Sequence, residues 1–191
     1  MTSSDSAATV DTPLHPILAA LVHELEHERR LLLEAAARVP AAHRETSPAP
    51  GRWSGAQVLA HLAKVEESSG RLFSVHAKRL REGGAPEETA TDARAIIDGF
   101  ARFPLHTRIK AVEAPELVLP DADVTFDGAL ELLAASRARL LQAIAKASGL
   151  ALGSVSAPHP RLGPLTMYEW LLMIARHEAR HVGQLDDLAS A

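Results

Sequence analysis

The stretch TMYEWLLMIARHEARHVGQLDDL, from Thr166 to Leu188, decides the fold, because it reads as a helix at every level and also carries ligand chemistry. Thr166 stands at N-cap with Glu169 at N3, a capping box, and Leu165 and Trp170 occupy the places of a hydrophobic staple. Met167, Trp170, Leu171, Ile174, Leu185 and Leu188 follow the helical repeat. His177 and His181 fall in the inward phase between Ile174 and Leu185, so two imidazoles face the core.

Imidazoles four residues apart lie one turn above each other, with Cβ atoms about 6 Å apart, and both can reach one ion. The plainer reading is a pair of core histidines with polar partners of their own. Burying both without compensation would cost a few kcal/mol, roughly the price of any unsatisfied polar group. His177-Glu178-Ala179-Arg180-His181 also matches HExxH, in which the glutamate is the general base of a zinc protease. The residues after His181, VGQLDDLASA, hold no histidine or glutamate, and Gln184 stands where the longer protease motif has glycine. A third ligand must therefore come from upstream.

The 191 residues suit one well-buried domain, read here as residues 13–191 behind a small, polar and disordered tail at residues 1–12. Aromatics make up only 4% while alanine, leucine, arginine and glutamate dominate, which favours an all-α fold. A net charge of −4 without a lysine or arginine cluster argues against nucleic acid as a partner. No apolar run approaches the roughly 20 residues that span a bilayer, and the N-terminus lacks a secretory pattern, so no membrane partner and a cytoplasmic setting are expected. With no cysteine, metal ligands must be histidine or carboxylate, and any thiol chemistry needs an external thiol.

Upstream, Leu14, Leu18, Leu21, Leu25, Leu32 and Val39 predict a first helix ended by Pro40. It holds a second HExxH match, His23-Glu24-Leu25-Glu26-His27, but its histidines fall opposite the leucine stripe and read as solvated. After the proline-rich loop at 40–52, Ser54 and Gln57 form another capping box. The second helix runs to about Arg81, with Val58, Leu62, Val65, Leu72, Phe73 and Leu80 inward, and stops at Gly83-Gly84.

His61 lies on the flank of that stripe, seven residues into the helix, and His181 lies seven residues before Leu188. Were the two helices antiparallel neighbours, these histidines would be level and three imidazoles would converge. His76, about 22 Å further along, reads as a core or interface residue. Residues 83–124 form a long connection suited to a crossover that lets the second and third helices run parallel. It contains a possible short helix at Asp92–Phe103 and extended pieces at Arg108-Ile109-Lys110 and Leu117-Val118-Leu119-Pro120. The third helix runs from Phe126 to about Ala147 behind Thr125. Arg137 interrupts its seam, so it either pairs with a carboxylate such as inward-phased Glu28 or contacts an anionic cofactor or substrate. The stretch SVSAPHPRLGPL reads as a returning loop.

Trp53-Ser54 with Gln57-Val58-Leu59-Ala60-His61-Leu62, His159-Pro160 before Gly163-Pro164-Leu165-Thr166, and Arg176-His177-Glu178 with His181 and Gln184-Leu185 together resemble the DinB-like (DinB/YfiT-like) family of metal-binding four-helix bundles. The resemblance covers roughly residues 14–188. It implies a four-helix bundle of unusual connection order with a long crossover between helices two and three. It further implies one divalent ion, zinc or nickel, on His61, His177 and His181, and a homodimer. Characterised members include transferases that activate a low-molecular-weight thiol such as bacillithiol or mycothiol, and related isomerases.

The expectation is thus a metal-dependent enzyme acting on a small-molecule substrate by thiol transfer or hydrolysis. Glu178 is the candidate catalytic group, set against simple pairing with Arg176 or Arg180 at the surface. The alternative is a metal-binding sensor or interaction module without catalysis. An HExxH zinc protease stands third, because no strand pattern offers a substrate-pairing edge.

Overall fold

A computed structural model describes residues 13–84, 86–103, 105 and 114–191. The predicted tail and the predicted extended piece at Arg108-Ile109-Lys110 lie outside the described residues. Four long helices form the bundle: α1 (Pro16–Arg38), α3 (Gly55–Glu82), α5 (Phe126–Lys146) and α6 (Met167–Ala189). Two short ones, α2 (Ala41–Arg44) and α4 (Arg94–Phe100), lie in the connections.

Local chemistry sets the ends of the long helices. Ser54 Oγ accepts from Gln57 N at 3.3 Å while Gln57 Oε1 accepts from Ser54 N at 3.1 Å, and Thr166 and Glu169 repeat the box at α6. Thr125 Oγ1 caps α5 by accepting from Gly128 N. Pro16 opens α1, where its missing N–H costs nothing. Gly84 takes a positive φ of 66° just past α3, the left-handed exit that glycine permits.

Contacts between helices fix their directions. On α1 and α6, Arg38 meets Asp186 and Arg29 meets Glu178, so residue numbers rise together and the two helices are parallel. On α3 and α5, Gly55 at the start of one lies against Phe126 at the start of the other and, further along both, Glu66 meets Arg137, again parallel. On α3 and α6, Arg52 just before the helix meets Asp187 while His61 meets His177, so this pair is antiparallel. The parallel α3 and α5 require the chain to travel the length of the bundle between them, and the connection from Gly83 to Thr125 does so. The expected crossover and antiparallel pair are both present.

Between α5 and α6, the stretch read as a plain loop contains a β-hairpin, β1 (Ser156–His159) paired antiparallel with β2 (Gly163–Thr166). Pro158 and Pro164 face each other in it. Proline supplies no ladder donor, and this hid the strands from sequence reading. The hairpin turns on three residues with Gly163 at φ 78°, and it buries Ala157 and Leu165.

The interior holds two apolar clusters. One gathers Ile17, Leu18, Leu21, Leu25, Phe73, Leu140, Ile144 and the first turns of α6, and the other Leu32, Ala35, Val58, Leu59, Leu62, Leu133, Leu185 and Leu188. Between them lies a polar layer to which each long helix contributes: Arg29, Glu66, Ser136 with Arg137, and Glu178, all buried. Val65, expected inward, is half-buried, and Glu66 takes the inward position.

Candidate metal centre

His61 comes from α3 and His177 and His181 from α6. Their ring centroids stand 5.2 Å (His61 to His177), 5.1 Å (His61 to His181) and 4.7 Å (His177 to His181) apart. One ligand nitrogen from each lies within 4.8 Å of the others, so the three could hold a metal ion. His177 Nε2 and His181 Nε2 are 3.2 Å apart, close to the roughly 3.3 Å edge of a tetrahedron with metal–nitrogen bonds of about 2.0–2.1 Å.

The outer nitrogens fix the tautomers. His61 Nδ1 lies 2.8 Å from the carbonyl of Val118, which can only accept, so Nδ1 carries the proton and Nε2 keeps its lone pair. His181 Nδ1 likewise donates to Gln184 Oε1 at 2.8 Å. Both rings are thereby turned with a basic nitrogen toward the shared centre, the arrangement that ligand histidines use. Trp53 packs its ring 4.8 Å from that of His61 and covers one side.

The electrostatics favour neutral rings. Burial pushes the His61 imidazole below its ordinary value, against the Val118 carbonyl, which works the other way. His177 is pushed well below, by burial first and then by the neighbouring charges of His181, His61, Arg180 and His159. Proton competition for the centre therefore sets in below the ordinary imidazole range near 6.5. His61 and His181 are buried, whereas His177 keeps a partial opening to solvent. His76 is half-buried and far along α3, while His23 and His27 are exposed on α1.

Glu178 and Arg137 need correction. Glu178 neither lies at the surface nor pairs with Arg176 or Arg180. It is buried, and its Oε1 accepts from Arg29 Nε at 3.1 Å and Nη2 at 2.6 Å and from Arg137 Nη2 at 3.0 Å. Its phase, about 100° from His177, turns the carboxylate into the polar layer and away from the three imidazoles. A role as protease base is not supported by that direction. Burial raises its pKa, against the pull of the Arg29 and Arg137 charges, and its Oε2 is buried without a hydrogen-bond partner among the described residues.

Arg137 is a structural ion pair, but Glu28 is not its partner. It donates to Glu66 Oε1 at 2.7 Å, to Glu178, to Glu26 Oε1 and to the carbonyl of Leu25. Glu28 accepts instead from Arg176 Nη1 at 2.8 Å. With its donors committed in this way, Arg137 has no open fork for an anionic cofactor.

Sequence reading missed the buried Arg29 and Glu66, which share a 2.9 Å ion pair, and the carbonyl of Val118, which no side-chain pattern announces. The signal for Arg29 and Glu66 was available as charged residues at inward phase, the same test that singled out Arg137.

The chain resembles the crystal structure of TT2238, a four-helix bundle protein, at 24% identity and a TM-score of 0.57, over 89% of this chain and 98% of that one. At that identity the likeness speaks for the fold alone. Among curated proteins none matches. The DinB superfamily model matches residues 24–185, a span that holds all three histidines and all four long helices except the first turns of α1 and the last of α6, and the chain belongs to the DinB superfamily.

Proposed function

We propose that this protein is a divalent-metal-dependent enzyme acting on a small molecule, of the thiol-dependent transferase or hydrolase type, through His61, His177 and His181. The observation that carries the reading is the convergence of three imidazoles from two helices, with the outer nitrogens of His61 and His181 already bound to Val118 and Gln184. A pair of ordinary core histidines would have no need of a third at the same level.

Imidazole donors suit zinc or nickel. An ion held there supplies Lewis acidity, which ionises a water or a thiol at neutral pH. The chain's own residues do the rest. Val118 and Gln184 orient the rings, and Trp53 shields His61. The Arg29 and Arg137 fork on Glu178 locks the rotation of α6, so that His177 and His181 point to one place. His177 is half-buried, and a small molecule would approach the centre from its side. No cysteine is present, so a thiol would have to be exogenous. Among the described residues, no helix is long and apolar enough to cross a membrane.

The test is to load the protein with zinc or nickel and screen small electrophiles against a panel of cellular thiols. Metal-dependent thiol consumption that disappears in His181→Ala is the expected result. A protein that binds its ion tightly but turns over no pair would move the weight to a sensor or interaction role, and cleavage of unstructured peptides would revive the protease.

A further inference from the structure

The turn that supplies the Val118 carbonyl is held against α3 at two successive residues. Pro115 and Pro120 bracket a single turn of 3-10 helix, Glu116–Val118, closed by the amides of Val118 and Leu119, which donate to the carbonyls of Pro115 and Glu116 at 3.0 Å and 3.1 Å. A helix end leaves its last carbonyls without partners inside the turn, so those of Val118 and Leu119 need donors from elsewhere. Helix α3 provides both. Val118 accepts from His61 Nδ1 at 2.8 Å, and Leu119 accepts from Lys64 Nζ at 2.9 Å. His61 and Lys64 are three residues apart and neighbours on one face of the helix, so adjacent carbonyls of the turn straddle one turn of α3. Lys64 Nζ also donates to Asp121 Oδ1 at 2.9 Å.

Little else fixes the turn. Leu117 is 80% exposed and Leu119 42%, so apolar burial contributes weakly at these positions. Among the described residues, the bonds to His61 and Lys64 are the polar ties between residues 116–121 and the bundle. The Val118 carbonyl can orient the His61 ring only if the turn is itself held in place, and Lys64 is the group outside the three histidines that holds it.

We propose that Lys64 is a positioning residue for the three-histidine centre. By tying Leu119 and Asp121 to α3 it keeps the Val118 carbonyl on His61 Nδ1, and so keeps the proton of the neutral ring off Nε2. This rests on the metal-dependent reading above and adds a linkage to it: docking of the turn and binding of an ion favour each other. Charge held at Nε2 makes Nδ1–H a stronger donor to Val118, and coupling between two such events is reciprocal.

The test compares Lys64→Met with Lys78→Met, which loses an exposed pair with Glu82 on the same helix. Lys64 is partly exposed and Asp121 largely so, and Lys64→Met should therefore fold, with a urea midpoint near that of the unaltered chain. Calorimetric titration with zinc should show binding about fivefold weaker in Lys64→Met, the lower end of typical coupling between sites, and unchanged in Lys78→Met. Removal of a cation from the neighbourhood of a divalent ion would by charge alone strengthen binding, so the sign of the change separates positioning from field. In the metal-free protein, nitrogen NMR should show the His61 ring protonated on Nδ1 in the unaltered chain and shifted toward a mixture of tautomers in Lys64→Met. Hydrogen exchange at the amides of Val118 and Leu119 should slow when zinc is added to the unaltered chain, and without metal it should be faster in Lys64→Met than in the unaltered chain.

Zinc affinity in Lys64→Met that is equal or higher, a His61 tautomer that ignores the substitution, or exchange at Val118 and Leu119 that ignores zinc would overturn the inference with the metal reading intact. Equal weakening in Lys78→Met would overturn it as well. Failure of the unaltered chain to bind zinc at all would instead bring down the metal reading on which it depends.

Discussion

His23-Glu24-Leu25-Glu26-His27 on α1 and His177-Glu178-Ala179-Arg180-His181 on α6 match one pattern, and the bundle uses them in opposite ways. On α1 the central leucine faces the core, which puts both histidines in solvent and leaves Glu24 half-buried as a partner for Arg176 at 2.6 Å. On α6 the glutamate itself is inward, so the histidines flank the seam, and His61 from α3 meets them there. The two stretches even touch the same neighbourhood, because Arg176, which binds Glu24, immediately precedes His177. Spacing alone therefore makes no ligand. Phase relative to the core, plus a donor at the same level on a facing helix, separates the two.

The largest expected difference concerns the glutamates. Glu178→Ala leaves Arg29 and Arg137 with fewer carboxylates in a buried layer, and removal of one partner from a buried pair costs about 3–5 kcal/mol. Glu24→Ala removes a partly exposed pair worth about 0–1 kcal/mol. Urea unfolding of the two variants measures both, and equal losses would mean that the charge layer does not hold the bundle together.

Next come the histidines. Each of His61→Ala, His177→Ala and His181→Ala should weaken zinc binding by more than about a hundredfold, since even loss of an outer partner costs tenfold to a hundredfold. His23→Ala and His27→Ala should leave it unchanged, and calorimetric titration would reverse the comparison if the α1 pair proved the binding one. Gln184→Ala should fall between, about tenfold to a hundredfold weaker, because the ring of His181 loses the acceptor that orients it.

Much of this could be read before any coordinates. Capping boxes at Ser54 and Thr166 placed two helix starts, because side-chain caps are local chemistry. The level of His61 with His181 followed from counting residues in two antiparallel helices. What stayed hidden was of two kinds. Partners of buried charge depend on which helices face each other, so Arg137 could be seen to need a carboxylate but not to choose Glu66 and Glu178 over Glu28. Backbone groups carry no sequence signature, so neither the carbonyl of Val118 on His61 nor that of Leu119 on Lys64 was visible.

The smallest effect, in the metal-free protein, separates the histidines of the centre from Glu178 by pH. His61 and His177 have pKa values lowered by burial. Each binds fewer protons folded than unfolded below about 6.5, the unfolded value, so folding stability is lost as pH falls through that window. The slope is at most about 1.4 kcal/mol per pH unit for each histidine that stays neutral. Glu178 has the opposite sign. Its raised pKa means that the folded state holds a proton the unfolded chain has released, so its contribution is full below the unfolded value and fades as pH rises through the folded one. Where the windows overlap, the two partly cancel, so the wild-type slope is shallower than the histidines alone would give. Glu178→Gln removes the carboxyl titration and should steepen the fall of stability toward acid, whereas the His61→Ala, His177→Ala double variant should reverse it. The His23→Ala, His27→Ala variant should keep the wild-type profile. Urea midpoints for these four proteins between about pH 7.5 and 5.5 measure the slopes. A double variant that still lost stability toward acid would show that the three-histidine centre is not where the bundle resists protons.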